Sequence, residues 1–87
     1  MLRIQRAANG EVVFTLSGRM DVDNVAELKA VLESEEKRRQ IVLDLRDLTL
    51  VDRSTVVFLD RCEIDGIKLK NCPAYIREWI TRERMGS

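Results

Sequence analysis

"LTLVDRSTVVFL", residues 48–59, decides how this chain is read. Leu48, Leu50 and Val51 close an apolar strand. Asp52, Arg53, Ser54 and Thr55 interrupt it with two charges and two hydroxyls, and Val56, Val57, Phe58 and Leu59 then resume an apolar run. The β-branched residues of that second run favour strand. Asp52 or Ser54 as an N-cap, with Gly66 as a C-cap, favours a helix over 54–65. A strand there gives an all-β hairpin. A helix gives an α/β unit with a hydroxyl at its N-terminus, and the surrounding sequence fits the helix.

Upstream, "IVLDL" (41–45) reads as a buried strand, and downstream "IKLK" (67–70) alternates apolar and polar residues. Pro73 suits the first position of a further helix, where Tyr75, Ile76, Trp79 and Ile80 form an apolar stripe. That spacing reads as core packing rather than as a docking patch. At the start of the chain, "LRIQR" and "EVVFTLSG" flank Asn9–Gly10, a hairpin signal. Gly18 reads as the end of the second strand. Asn24 as N-cap with Glu27 three residues on forms a capping box, ahead of a stripe of Val25, Leu28, Val31 and Leu32. Glu33 with Lys37, and Glu35 with Arg39, are i,i+4 pairs on a solvated helix face.

The order is therefore β-β-α-β-α-β-α. Ile4, Val12, Phe14, Leu16, Ile41, Leu43, Leu45, Ile67 and Leu69 share one sheet face. Arg3, Gln5, Asp44, Lys68 and Lys70 share the other, with Val13 and Val42 as apolar exceptions. A sheet with one polar face carries helices on one side only. The expected fold is a two-layer α/β domain with a mixed four-stranded sheet, spanning residues 1–87 as one unit with 85–87 as a tail.

Composition narrows the function. The 87 residues are 45% hydrophobic and 34% charged, as in an ordinary globular protein. Fifteen basic and fifteen acidic residues cancel. The electrostatic footprint of nucleic-acid binding is missing. No apolar run approaches the roughly 20 residues that span a bilayer, and the first residues lack the apolar core of a signal peptide. The expectation is a cytoplasmic protein without membrane insertion. Cys62 and Cys72 are then free thiols. The chain has no histidine, which removes Ser–His and Cys–His pairs and most transition-metal sites. Neither a cofactor nor a metal is expected, and a non-enzyme is favoured.

"FTLSGRMDVDNVAELKAVLE" followed by "IVLDLRDLTLVDRS" resembles the STAS domain, the module of sulfate transporters and anti-sigma-factor antagonists. The resemblance runs from about Val12 to Trp79. Leu16, Gly18, Met20 and Asp21 match the family's first motif. Asp44, Leu45, Leu48, Val51, Asp52 and Ser54 match its second, which ends in D-S-S-G. The resemblance implies a STAS-like fold and a bacterial regulator of transcription that works by binding another protein. Ser54 occupies the position of the serine that is phosphorylated in antagonists, and the implied partner is an anti-sigma kinase-like protein with a GHKL-type ATPase fold. The implied partner-binding loop comprises Asp21, Asp52, Arg53, Ser54 and Thr55. Arg53 stands where the family has its first serine, and Thr55 where it has glycine. The chain also stops after its third helix, without the family's further strand and helix.

Other readings stand beside this one. Ser54 also reads as a plain helix cap. An unphosphorylated accessory subunit of an ABC-type lipid-transporter ATPase tolerates the altered loop. A small-ligand binder or thiol enzyme would need Cys62, or Cys72 activated at a helix N-terminus. Asp44 and Asp52 as an acid–base pair are the remaining catalytic option. An open sheet face and edge strands leave room for a homodimer.

Overall fold

The computed structural model describes residues 1–36 and 39–86. Among these, the elements run β1 (Leu2–Asn9), β2 (Glu11–Met20), α1 (Val22–Glu33), β3 (Ile41–Val51), α2 (Arg53–Ile64), β4 (Lys68–Lys70) and α3 (Ala74–Gly86). The ambiguous stretch after Val51 is a helix, as the caps required. The sheet order is β1-β2-β3-β4, with β1 antiparallel to β2 and the remaining pairs parallel. Two β-α-β crossovers of the same hand place α1 and α2 on one face. The expected β-β-α-β-α-β-α order and mixed four-stranded sheet are what the chain adopts.

The core lies between that sheet face and the helices. Phe14, Leu16, Leu43 and Leu45 meet Leu28 from α1, Val56 and Leu59 from α2, and Ile76 and Ile80 from α3, all fully buried. Burying each such side chain contributes about 1.5–3 kcal/mol. Ile4, Ile41, Ile67 and Leu69 share the face but are only half-buried, because they sit at sheet edges and strand ends. Val42 was expected on the open face, yet it is fully covered, standing in central β3 between Val13 of β2 and Lys68 of the edge strand β4.

Some local readings are corrected. Gly18 does not end β2, which continues to Met20. Its φ is +94, and a Cβ there would lie 2.4 Å from the Met1 carbonyl oxygen, so glycine lets the N-terminus pass close to the strand. The hairpin read at Asn9–Gly10 does form, with Gly10 in a positive φ. The cap of α1 is Asp21, three residues before the expected Asn24. The Asp21 carboxylate accepts from the N–H groups of Asp23 (3.1 Å) and Asn24 (3.4 Å), while Asn24 Oδ1 accepts from the Asp21 N–H (3.1 Å). Glu27 has no part in this box. The helix starts early because Met20, buried and paired with Val51, is the last residue held by the sheet.

α1 stops at Glu33, so Glu35 lies beyond the helix and has no helical i,i+4 partner. It instead accepts a bidentate pair from Arg6 at 2.9 and 3.0 Å. The expected Glu33–Lys37 pair falls outside the described residues. Pro73 stands one position ahead of Ala74, and its carbonyl accepts the first bonds of α3 from Ile76 and Arg77. α3 continues through Met85 and Gly86, two residues expected in the tail.

Candidate functional site

β2 and β3 run parallel and end level, with Met20 beside Val51. One residue later in each, Asp21 and Asp52 cap α1 and α2. Two helix N-termini therefore open side by side at the carboxyl edge of the sheet, where open α/β folds commonly place their sites.

Asp52 has extended backbone (φ −104, ψ 178), and its carboxylate accepts from the Thr55 N–H at 2.9 Å. That backbone bond above all holds the Asp52 carboxyl below the usual carboxylate range despite partial burial. Thr55 is 0% exposed, and its hydroxyl donates to the Met20 carbonyl at 3.0 Å. The threonine that stands in the glycine position is thus a rivet between α2 and the end of β2.

The five expected site residues consequently divide. Asp21, Asp52 and Thr55 build the frame, and Thr55 has no surface to offer a partner. Arg53 and Ser54 face outward. Between the two possible caps of α2, the structure selects Asp52. Ser54 lies in the first turn, exposed, and no hydrogen bond among the described residues engages its hydroxyl. With Arg53 and Val57 it lines a shallow cleft of about 330 Å³. Val22, Leu50 and Val57 leave large apolar surface exposed around the same edge.

Arg53 does not point freely at Ser54: its Nε donates to Glu83 of α3 at 2.9 Å. α3 packs against α2, and Glu83 in its last turns reaches the first turn of α2. Further pairs continue the seam, from Arg84 to Asp60 and Glu63, and from Arg77 to Glu63 in a bidentate contact at 2.9 Å. Arg77 and Arg84 hold the Glu63 carboxyl below its ordinary range. Glu83 escaped sequence reading, because its nearness to Arg53 depends on how α3 folds back.

Trp79 is half-buried against the core and lines a cleft of about 420 Å³ with Arg82 and Glu83. Tyr75 was expected in the core, but it is exposed, with its hydroxyl donating to the Thr49 carbonyl at 3.3 Å. The buried stripe of α3 is centred on Ile76 and Ile80, which leaves Tyr75 on its flank. Asp44 and Asp52 share no partner: Asp44 accepts from the Arg46 N–H and from Asn71 Nδ2.

The thiols are held protonated. Burial, with the nearby Asp65 charge, pushes Cys62 up to about 12. Burial also raises the Cys72 thiol, although Arg77 pulls it down. Activation of Cys72 at a helix N-terminus, the option a thiol enzyme would need, therefore finds no support. Among the described residues no three His, Cys, Asp or Glu side chains gather as metal ligands, and no helix is long and apolar enough to cross a membrane.

A single mixed sheet with all helices on one face, and two acid-capped helices opening at its carboxyl edge, defines a small two-layer α/β architecture. The family model of the STAS domain matches residues 3–69, and the chain belongs to that family. No curated protein sequence matches it significantly. Several solved structures share the fold. The anti-sigma factor antagonist SpoIIAA in its unphosphorylated form aligns with a TM-score of 0.61 at 20% identity, covering 90% of this chain and 79% of its own. An uncharacterised DUF3478 protein from Shewanella loihica PV-4 with a SpoIIAA-like fold aligns with a TM-score of 0.58 at 13% identity, covering 95% and 75%. Mglu aligns with a TM-score of 0.57 at 19% identity over 83% of this chain, which spans only 19% of Mglu. At these identities the likeness is one of fold.

Proposed function

We propose that this STAS domain is a protein-binding regulatory module of the anti-sigma-factor-antagonist kind, switched by phosphorylation of Ser54. One observation carries the reading. The hydroxyl of Ser54 is exposed and unengaged at the start of α2, while its neighbours Asp52 and Thr55 do the structural work there. A kinase can modify it without unmaking a cap.

A phosphate adds a charge of about −1.5 to −2. On Ser54 it would stand within a turn of the Asp52 carboxylate and of the apolar Val57. It therefore turns a half-apolar contact surface into an anionic one, which expels a partner by desolvation and repulsion rather than by unfolding the domain. Arg53 is the nearest cation, and it can leave Glu83 for the new phosphate because both ends of that pair reach solvent. The partner is a GHKL-fold ATPase acting as kinase, the module acts in the cytoplasm, and it performs no chemistry of its own.

Arg53 in the family's serine position, already engaged by Glu83, supports a second reading. In it the domain is an unphosphorylated accessory subunit of a transporter ATPase, and the same edge is a constitutive contact. Capture from the native host's lysate by wild type, Ser54→Ala and Ser54→Asp separates the two. A GHKL-fold ATPase retained by wild type and lost by Ser54→Asp, with a phosphoryl group mapped to Ser54, supports the switch. A P-loop ATPase held equally by all three supports the accessory subunit.

A further inference from the structure

Away from the Ser54 edge, α1 and α2 leave a groove between them of about 600 Å³. Both helices start level and run parallel, so residues at equal depth face each other. Val25, Val57 and Phe58 line its upper half, Leu32 and Cys62 its lower half, and Ile41 and Ile67 its foot. Lys29 and Arg61 rise on opposite walls at one level, and Glu33 and Asp65 follow one turn below. Among the described residues neither Lys29 nor Arg61 makes an ion pair, whereas Arg6, Arg53, Arg77 and Arg84 all do. Val57 lines this groove and the Ser54 cleft alike, so the two surfaces are continuous.

We infer that the groove is the seat of an amphipathic helix from the protein partner, with apolar anchors on one face and an acid–base pair one turn apart. From Val25 to Glu33 the wall is about 12 Å long at 1.5 Å per residue, which matches anchors at i, i+4 and i+7. An acidic side chain of the incoming helix meets Lys29 and Arg61, and a basic one meets Glu33 and Asp65. This two-signed rim distinguishes a helix from an anionic amphiphile, whose apolar tail would lie against the two acids. The inference rests on the protein-binding reading above for the class of partner, and names the element that the module holds.

The test uses the full chain and an acetylated, amidated model peptide of about four turns. It carries leucines at i, i+4 and i+7 and a Glu–Lys pair placed to match the rim. A control peptide has Glu and Lys exchanged. The matched peptide is expected to bind saturably, to shift the amide signals of Val25, Val57 and Phe58, and to bind about tenfold tighter than the exchanged one. In the double variant Lys29→Glu with Arg61→Glu, both positions being exposed, the preference weakens or reverses. Equal affinity for both peptides, no saturable binding, or shifts confined to other surfaces overturns the inference. So does saturable dodecanoate binding in the groove that the peptide cannot displace. Wild-type protein without phosphate is used throughout, so failure here leaves the Ser54 switch standing, and failure of Ser54→Asp to alter partner capture leaves the groove standing.

Discussion

Replacing Thr55 by valine keeps the shape of the side chain and removes one hydroxyl. That hydroxyl donates to the Met20 carbonyl at 3.0 Å in a fully buried site. Its loss leaves a buried acceptor without that donor, which costs about 1–3 kcal/mol. For a domain of this size the total stability is on the order of 4–13 kcal/mol, at roughly 0.05–0.15 kcal/mol per residue. Thr55→Val therefore removes a large share of it. The melting temperature falls by about 4–8 °C for each kcal/mol lost. The neighbouring Ser54→Ala removes an exposed hydroxyl with no hydrogen-bond partner among the described residues, so it changes stability by no more than about 0.5 kcal/mol. Urea unfolding followed by Trp79, the chain's one tryptophan and half-buried against the core, reads both variants. If Thr55→Val unfolds with wild type, or if Ser54→Ala loses as much as Thr55→Val, the division of labour at the start of α2 is wrong.

Asp52→Ala is expected to cost about 0.5–2 kcal/mol at pH 7, as loss of an N-cap does. Because the folded carboxyl titrates below its unfolded value, this stabilisation is complete above the unfolded value of about 3.8 and is lost as pH falls through the folded pKa. The gap between variant and wild type should accordingly close in strongly acidic urea titrations, and a gap unchanged there would count against the cap. Gly18→Ala should destabilise more than Gly10→Ala in thermal melts. Both have positive φ, but only the Gly18 side chain would strike the Met1 carbonyl. Native Cys62 should resist thiol reagents at pH 8, where a thiol held near 12 is protonated, and should react once urea unfolds the chain. Rapid native labelling of Cys62 would contradict its burial.

Much of the layer structure is legible in the chain because it depends on periods of two and 3.6. Phe14, Leu16, Leu43 and Leu45 alternate, and Leu28, Leu59, Ile76 and Ile80 recur on helical faces. What local pattern cannot supply is the point at which a strand leaves the sheet. "DVDN" offers three good capping residues, and Asn24 with Glu27 satisfies the motif as well as Asp21 with Asn24. The choice is made by the pairing of Met20 with Val51, thirty-one positions away in sequence (51 − 20). Gly18 misleads for the same reason: its break is a bulge, and its need for glycine comes from the passing Met1 backbone.

At the candidate site, Ser54 and Asp52 were legible because capping chemistry is local. Thr55 was placed with them as part of a presented loop, but its side chain turns inward to Met20, a contact between distant parts of the chain. The Arg53–Glu83 pair, the seam of charges between α2 and α3, and the two-signed groove between α1 and α2 all depend on helix placement. No spacing in the sequence announces them.

On the function proposed above, a protein partner reads the start of α2 and a phosphate on Ser54 ends the reading. The most direct test is calorimetric titration of the captured ATPase with the unmodified protein and with protein carrying phosphoserine at position 54. The account predicts saturable binding of the unmodified form and at least about tenfold weaker binding of the phosphorylated one, equivalent to about 1.4 kcal/mol. Equal affinity of the two forms would contradict it and leave Ser54 as an exposed residue in the first turn of a helix that Asp52 already caps.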